Sequence, residues 1–270
     1  MTMTNIEAII ADADGTLVDT LALIRHGQHE TVTSYLTQYG LPPEQLPDYD
    51  QFETSLHVVM GGSARSTLEA VVKHFYADQP ALVGEVNYDA LHDMLNPVQD
   101  RIAPEYVTAY AGLSDYLQFV GSSGLKLAVS TSGSPHHVVR NFGIALPELG
   151  LTDLYKDTTA SDTAKLQQFI DRTKKYFHLA DFVVVTCDDV TAHKPDPEPF
   201  IAAMDRLAVS PNNSLILGDH SVDMRAGRAA TAAEIVGITH GFDDKQTLLA
   251  AGATRIVDSL PELVAWLQRG

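Results

Sequence analysis

The sequence predicts an α/β protein: a doubly wound parallel sheet interrupted by a separate helical domain. Short apolar runs recur at 6–11, 125–130, 182–187, 215–218, 234–239 and 255–257. Helical-looking stretches lie between the later runs, and strands alternating with helices imply a parallel sheet covered on both faces. Residues 20–100 break the pattern. There Leu21, Ile24, Val32, Tyr35, Leu36 and Tyr39 recur at helical spacing, as do Leu68, Val71, Val72 and Phe75.

The first run, IEAIIADADGT from Ile6, reads as a buried strand that ends in Asp12 and Asp14. Side chains two apart on an extended chain point the same way, so both carboxylates aim at one place. Ligands of parallel sheets collect just beyond the carboxyl ends of the strands, which is where these acids fall. Two anions so close repel unless a cation or a shared proton holds them. A calcium loop fails as an explanation: counting back from Gly15 puts Ile10 at its first ligand position and Leu21 at its twelfth. A solvated turn is the plainer alternative, because Asp and Gly are common turn residues.

The second run, LKLAVS at 125–130, leads into Thr131-Ser132-Gly133-Ser134-Pro135. Hydroxyls and free N–H groups at a helix start suit an anion, and Ser134 before Pro135 also suits a helix cap. After the third run, FVVVTC at 182–187, comes His193-Lys194-Pro195-Asp196-Pro197, a cation in a proline-stiffened backbone. A solvated loop lysine would read the same way. The fourth run ends in Asp219, with Asp223 four residues on. If a helix starts near His220, both carboxylates can face one ion; otherwise Asp219 is a cap and Asp223 a surface acid.

Two more stretches read as helices. Residues 197–208 carry Phe200, Ile201, Met204 and Leu207 on one face. Within the polar segment 145–181, Leu166, Phe169, Ile170, Thr173 and Phe177 suggest one amphipathic helix. Cys187, the one cysteine, follows an apolar run and is expected to be a small buried hydrophobe.

Composition narrows the functions available. At 270 residues, 45% of them hydrophobic, the chain has enough apolar surface for a sizeable core in one or two domains. No apolar stretch approaches the roughly 18 residues that cross a bilayer, and no basic segment precedes the first apolar run. A cytoplasmic setting is expected. The formal net charge of −17 argues against nucleic acid or an anionic membrane as partner. It also means that an anionic substrate needs a local cation to approach.

In order along the chain stand D-x-D-G-T at 12–16, Thr131, K-P-x-P at 194–197 and G-D-x-x-x-D at 218–223. This set resembles the haloacid dehalogenase superfamily, in its branch with a helical cap between the first two motifs, the relatives of phosphoglycolate phosphatase and β-phosphoglucomutase. The resemblance implies a Rossmann-like core over 1–19 and 101–270 and an all-helical cap over 20–100 that would act as a lid. It implies a Mg²⁺-dependent phosphatase of a small phosphorylated metabolite, active as monomer or homodimer. Asp12 would be the nucleophile that becomes an aspartyl phosphate, and Asp14 the acid and base. Mg²⁺ would be held by the Asp12 carboxylate, the Asp14 carbonyl and Asp219, with Asp223 outside them. Thr131 and Ser132 would bind phosphoryl oxygens, and Lys194 would offset charge between nucleophile and phosphate.

An aspartate at Asp14 separates the chain from the dehalogenases and phosphonatases of the superfamily. Lys73, the one lysine in 20–100, reads as the polar face of a helix. Leu21 to Ile24 holds no histidine where β-phosphoglucomutase has one, which disfavours a mutase. Gly62-Ser63-Ala64-Arg65 resembles the cap's specificity loop and makes Arg65 a candidate for recognising the leaving group, or simply an exposed arginine. His26, His29, His136 and His137 are expected at the surface. Ala13 stands where the family more often has a bulky apolar residue, and 145–181 lengthens the chain between Thr131 and Lys194; a surface insertion is the expected reading, with a local lid or a dimer contact as alternatives. Phosphoryl transfer to a second substrate, or a weakly catalytic binding module, are the alternative functions.

Overall fold

The computed structural model describes residues 6–59 and 63–269 and divides into two compact units, 1–20 with 107–270 and 21–106. The first unit is built on β1 (Ala8–Ala11), β4 (Lys126–Ser130), β5 (Phe182–Val185), β6 (Ser214–Gly218), β7 (Glu234–Ile238) and β8 (Arg255–Val257). They form a parallel sheet in the order β5-β4-β1-β6-β7-β8. The chain thus winds outward from β1 through β4 to β5, then returns to β6 on the other side. That reversal opens a crevice at the carboxyl ends of β1, β4 and β6, the usual ligand position in such sheets.

Register decides what meets there. Ala11 lies beside Val129 on one neighbour and Leu217 on the other. One residue further, Asp12 therefore stands level with the ends of β4 and β6. The ladder continues past the strands, since Asp12 N donates to Leu217 O at 2.8 Å and Thr131 N donates to Val185 O at 2.9 Å.

The remaining elements of this unit are α7 (Leu113–Ser123), α8 (Pro135–Ala145), α9 (Asp162–Tyr176), α10 (Glu198–Leu207), α11 (Ser221–Ala229), α12 (Lys245–Ala251) and α13 (Leu260–Leu267). One sheet face is covered by α10 and α11: Phe200, Ala203, Met204, Leu207 and Ala226 pack on Ala8, Ile10, Ala128, Val185 and Ile216. Ile201 is 41% exposed rather than on that face, because the 3.6-residue repeat carries it round to solvent. A short antiparallel pair, β2 (Val18–Asp19) with β3 (Thr108–Ala109), marks where the chain leaves and re-enters the unit. Two-residue strands leave no periodic signal in a sequence.

The segment 145–181 is not a surface insertion. Its helix α9 buries Leu166, Phe169 and Thr173, and the Phe169 ring lies 5.3 Å from Phe142 of α8 and 6.0 Å from Phe182 of β5. Cys187 is also placed otherwise than expected: β5 ends at Val185, and Cys187 opens a one-turn 3-10 helix where it is partly exposed. Burial and the neighbouring Asp188 push its thiol pKa up to about 12, which disfavours the thiolate form.

The second unit comprises α1 (Leu21–Gln38), α2 (Tyr49–Val59), α3 (Ala64–Phe75), α4 (Pro80–Glu85), α5 (Tyr88–Asp93) and α6 (Leu95–Tyr106). Its own core gathers Val32, Leu36, Phe52, Leu56, Leu68, Val71, Val72, Leu91 and Leu95. It ends at Tyr106 rather than 100 because α6 runs on through Pro104. Lys73 pairs with Glu69 on an exposed helix face. The histidines are not simple surface residues. His26 is stacked between Tyr49 and Tyr106 at 4.4 and 4.5 Å, and His29 Nε2 lies 3.0 Å from Pro47 O. In the first unit, the half-buried His136 lies 3.7 Å from Asp162, and His137 completes the N-terminal cap of α8.

Replacing Phe169 with Ala tests whether α9 belongs to the core. The expected result is a loss of about 3–5 kcal/mol in urea denaturation, the cost of emptying a packed aromatic site. A change within about 0.5 kcal/mol would return the segment to the surface.

Candidate active site

Three strand ends, those of β1, β4 and β6, meet around one buried ammonium group carried on the loop after β5. Lys194, 3% exposed, reaches Asp12 Oδ1 at 2.6 Å, the Ser130 carbonyl at 2.7 Å and Asp223 Oδ1 at 2.8 Å. The contacts to Asp12 and Ser130 are hydrogen bonds that use two of the three N–H donors of the lysine, and the contact to Asp223 is an ion pair. Burial alone would depress its pKa, but Asp12 and Asp223 outweigh that and hold it above the ordinary lysine value, fully charged. Lys194 thereby ties β1, β4 and the start of α11 together.

Asp12, Asp219 and Asp223 each offer a carboxylate oxygen within 4.8 Å of the others. Three carboxylates against one ammonium leave an excess of two negative charges in a desolvated space. The consequence is visible in the acids. Desolvation raises the Asp12 pKa well above the usual carboxylate value despite Lys194 beside it. Desolvation, reinforced by Asp223, pushes Asp219 up to about 7. Such a cluster of hard oxygens with surplus charge suits a small divalent cation.

Each carboxylate is aimed by its own device. Asp219 Oδ1 accepts from Thr16 Oγ1 at 2.6 Å and Oδ2 from Phe242 N at 2.8 Å. Gly15 and Gly241 make room for it: a Cβ on either would come within 2.3 or 2.2 Å of Asp219 Oδ2. Asp223 is not a surface acid. It is the third residue of α11, and its Oδ2 accepts from His220 N at 3.2 Å in a reciprocal cap. The cap of α11 is His220 rather than Asp219. Burial lowers the His220 pKa, which keeps Nδ1 neutral to accept from Val222 N.

Asp14 points away from the three-acid cluster. Its Oδ1 accepts from Thr20 Oγ1 at 2.9 Å and from Asn141 Nδ2 at 2.8 Å, and its Oδ2 faces Thr131 Oγ1 at 3.5 Å. Thr131 Oγ1 in turn accepts from Gly133 N at 2.9 Å, while Ser134 caps α8. Ser132, next to Thr131, is partly exposed. Arg65 lies in the helical unit, where it pairs with Asp89 at 2.8 Å and Glu69 at 3.3 Å. Gly62, the start of the specificity-loop resemblance, is outside the described residues.

Asp12, Asp14, Thr131, Lys194, Asp219 and Asp223 are thus neighbours in the first unit. Sequence reading missed Thr16, Asn141 and the turn Gly241–Asp243. Thr16 stood in plain view in D-x-D-G-T. Asn141 and the turn have no linear signal, because only the fold carries α8 and the end of β7 to this place.

A family model for haloacid dehalogenase-like hydrolases matches residues 6–231. The phosphorylated carbohydrates phosphatase of Thermotoga maritima is 27% identical over 252 residues, 93% of this chain and 94% of its own length. A phosphoglycolate phosphatase of Nitrosospira multiformis is 24% identical, over 98% of this chain and 96% of its own. In fold, the chain resembles the crystal structure of a hydrolase from Pseudomonas syringae with a TM-score of 0.65 at 22% identity, covering 97% of this chain and 98% of that one. Among the described residues no helix is long and apolar enough to cross a membrane. With the family model spanning most of its length, the chain belongs to the haloacid dehalogenase-like hydrolases.

Proposed function

We propose that the protein is a Mg²⁺-dependent phosphatase that hydrolyses the phosphate monoester of a small metabolite by way of an aspartyl phosphate on Asp12. The observation that carries this reading is the three-carboxylate cluster held by Lys194, with Asp14 beside it and supported separately. The names of the relatives, a phosphatase of phosphorylated carbohydrates and one of phosphoglycolate, favour a small soluble phosphate ester.

The residues fit the cation. Asp12 and Asp219 would hold Mg²⁺ through their carboxylates and Asp14 through its main-chain carbonyl, with Asp223 bound to Lys194 at the edge. When bound, the ion would cancel the surplus charge of the acids, so that a phosphate can approach despite a net charge of −17.

The chemistry follows from the side chains. Lys194 occupies Asp12 Oδ1, which leaves Oδ2 to attack phosphorus. The bond to the leaving oxygen breaks as the new P–O bond forms, and Asp14 gives that oxygen its proton. Asp14, now a carboxylate, takes a proton from water. The water oxygen attacks the phosphorus, the bond to Asp12 breaks, and inorganic phosphate leaves with both residues restored. Thr131, Ser132 and the Ala13 N–H would orient the phosphoryl oxygens. Arg65, on the helical unit, is proposed to recognise the leaving group.

Two outcomes check this. With Mg²⁺, the purified protein is expected to hydrolyse 4-nitrophenyl phosphate and, on brief quenching, to carry label from a ³²P-phosphate ester on the polypeptide. Asp12→Asn should abolish both; activity surviving that change would rule out the aspartyl-phosphate route.

The second concerns stability. Asp12 and Asp219 have folded-state pKa values above the unfolded value of about 3.9. The folded state therefore binds more protons than the unfolded one between there and about 7 for Asp219, so stability falls as pH rises through that window. In EDTA the melting temperature is expected to drop across this range, and Mg²⁺ to restore it at the upper end. A melting temperature indifferent to Mg²⁺ at pH 8 would contradict a cation site among these acids.

A further inference from the structure

The helix that follows Thr131 buries two polar side chains on its inner side. Arg140 is 1% exposed and Asn141 5%. Arg140 Nε donates to Asn141 Oδ1 at 3.0 Å, and Asn141 Nδ2 donates to Asp14 Oδ1 at 2.8 Å. The first bond fixes which way the amide faces. A flipped Asn141 would set its NH₂ against the Arg140 N–H, donor against donor, and its carbonyl against the Asp14 carboxylate. Asn141 is therefore held as a donor toward Asp14.

We infer that Asn141, locked by Arg140, is a positioning residue that selects the oxygen through which Asp14 exchanges its proton. Asp14 Oδ1 accepts from two groups, Thr20 Oγ1 and Asn141 Nδ2. The hydroxyl of Thr20 can rotate to accept, but the pinned amide cannot. Oδ1 is thus occupied as an acceptor, and the proton is carried on Oδ2. That oxygen faces Thr131 and Gly133, at the end of β4 where the phosphoryl group and its leaving oxygen belong. The proton passes from Oδ2 to the leaving oxygen in the first step and returns to Oδ2 from water in the second. This rests on the acid and base role given to Asp14 above and adds the group that orients it.

The test separates the two. Esters of a good and a poor leaving group, 4-nitrophenyl phosphate and benzyl phosphate, are compared in the wild type, Asn141→Leu, Asn141→Ala and Asp14→Asn, because only the poor leaving group needs a proton to depart. Both Asn141 variants are expected to lose about 10- to 100-fold in kcat/KM on benzyl phosphate, within the range of general acid catalysis. On 4-nitrophenyl phosphate kcat/KM, which reports only the step that expels the leaving group, should stay within a few-fold; any fall in kcat on that ester belongs to the second step, which the two esters share. Asp14→Asn should show the same split or a larger one. A uniform loss of kcat/KM on both esters in the Asn141 variants, or no loss, with the split kept in Asp14→Asn, overturns the role of Asn141 alone. No split in Asp14→Asn overturns the acid role of Asp14 and the inference with it. Should the leucine variant fail to fold, the alanine variant decides.

Discussion

Everything in the catalytic unit is arranged around the buried ammonium group of Lys194. Among the described residues it is the positive side chain that pairs with Asp12 and Asp223, beside Asp219, and it contacts three separate pieces of chain. Without it, three carboxylates would share a desolvated space with no counter-charge, a cost too large for a marginally stable fold. With it, the cluster still carries surplus negative charge, and the raised pKa values of Asp12 and Asp219 record that strain. The site is electrostatically incomplete in a way that a divalent cation would resolve.

The fold explains how Asp12 and Asp223, 211 positions apart, reach one place. A parallel sheet puts every strand's carboxyl end on the same side, and the order reversal beside β1 puts β4 and β6 on its two flanks. Asp12, Thr131 and Asp219 are each the first residue past a strand, so register alone brings them level. Finer placement falls to side-chain devices: Thr16 and the Phe242 N–H on Asp219, the His220 cap on Asp223, Thr20 and Asn141 on Asp14.

What was legible in the sequence follows from the range of the forces involved. Five of the six strands announced themselves as apolar runs because burial on both faces demands them; β8, at the sheet edge, is partly exposed and showed only as a short run at 255–257. Asp12 and Asp219 announced themselves because unlike residues at strand ends stand out against such runs, and Lys194 because of the prolines that follow it. The partners that aim them did not. Asn141 sits in an ordinary amphipathic helix, and its meaning depends on where α8 is carried by a distant strand. The histidines misled for the same reason, since only the tertiary structure stacks His26 between Tyr49 and Tyr106. The segment 145–181 looked dispensable because it is polar, yet one face of α9 supplies Phe169 to the core. A mean over a helix hides a stripe.

The most direct test of the central claim is a crystal structure of the protein with Mn²⁺ and beryllium fluoride, a stable mimic of a phosphoryl group on a carboxylate. The expected result is anomalous density for the metal between Asp12 and Asp219, with beryllium bonded to Asp12 Oδ2 and Lys194 still on Oδ1. Metal bound elsewhere, or beryllium fluoride attached to a different side chain, would contradict phosphoryl transfer to Asp12.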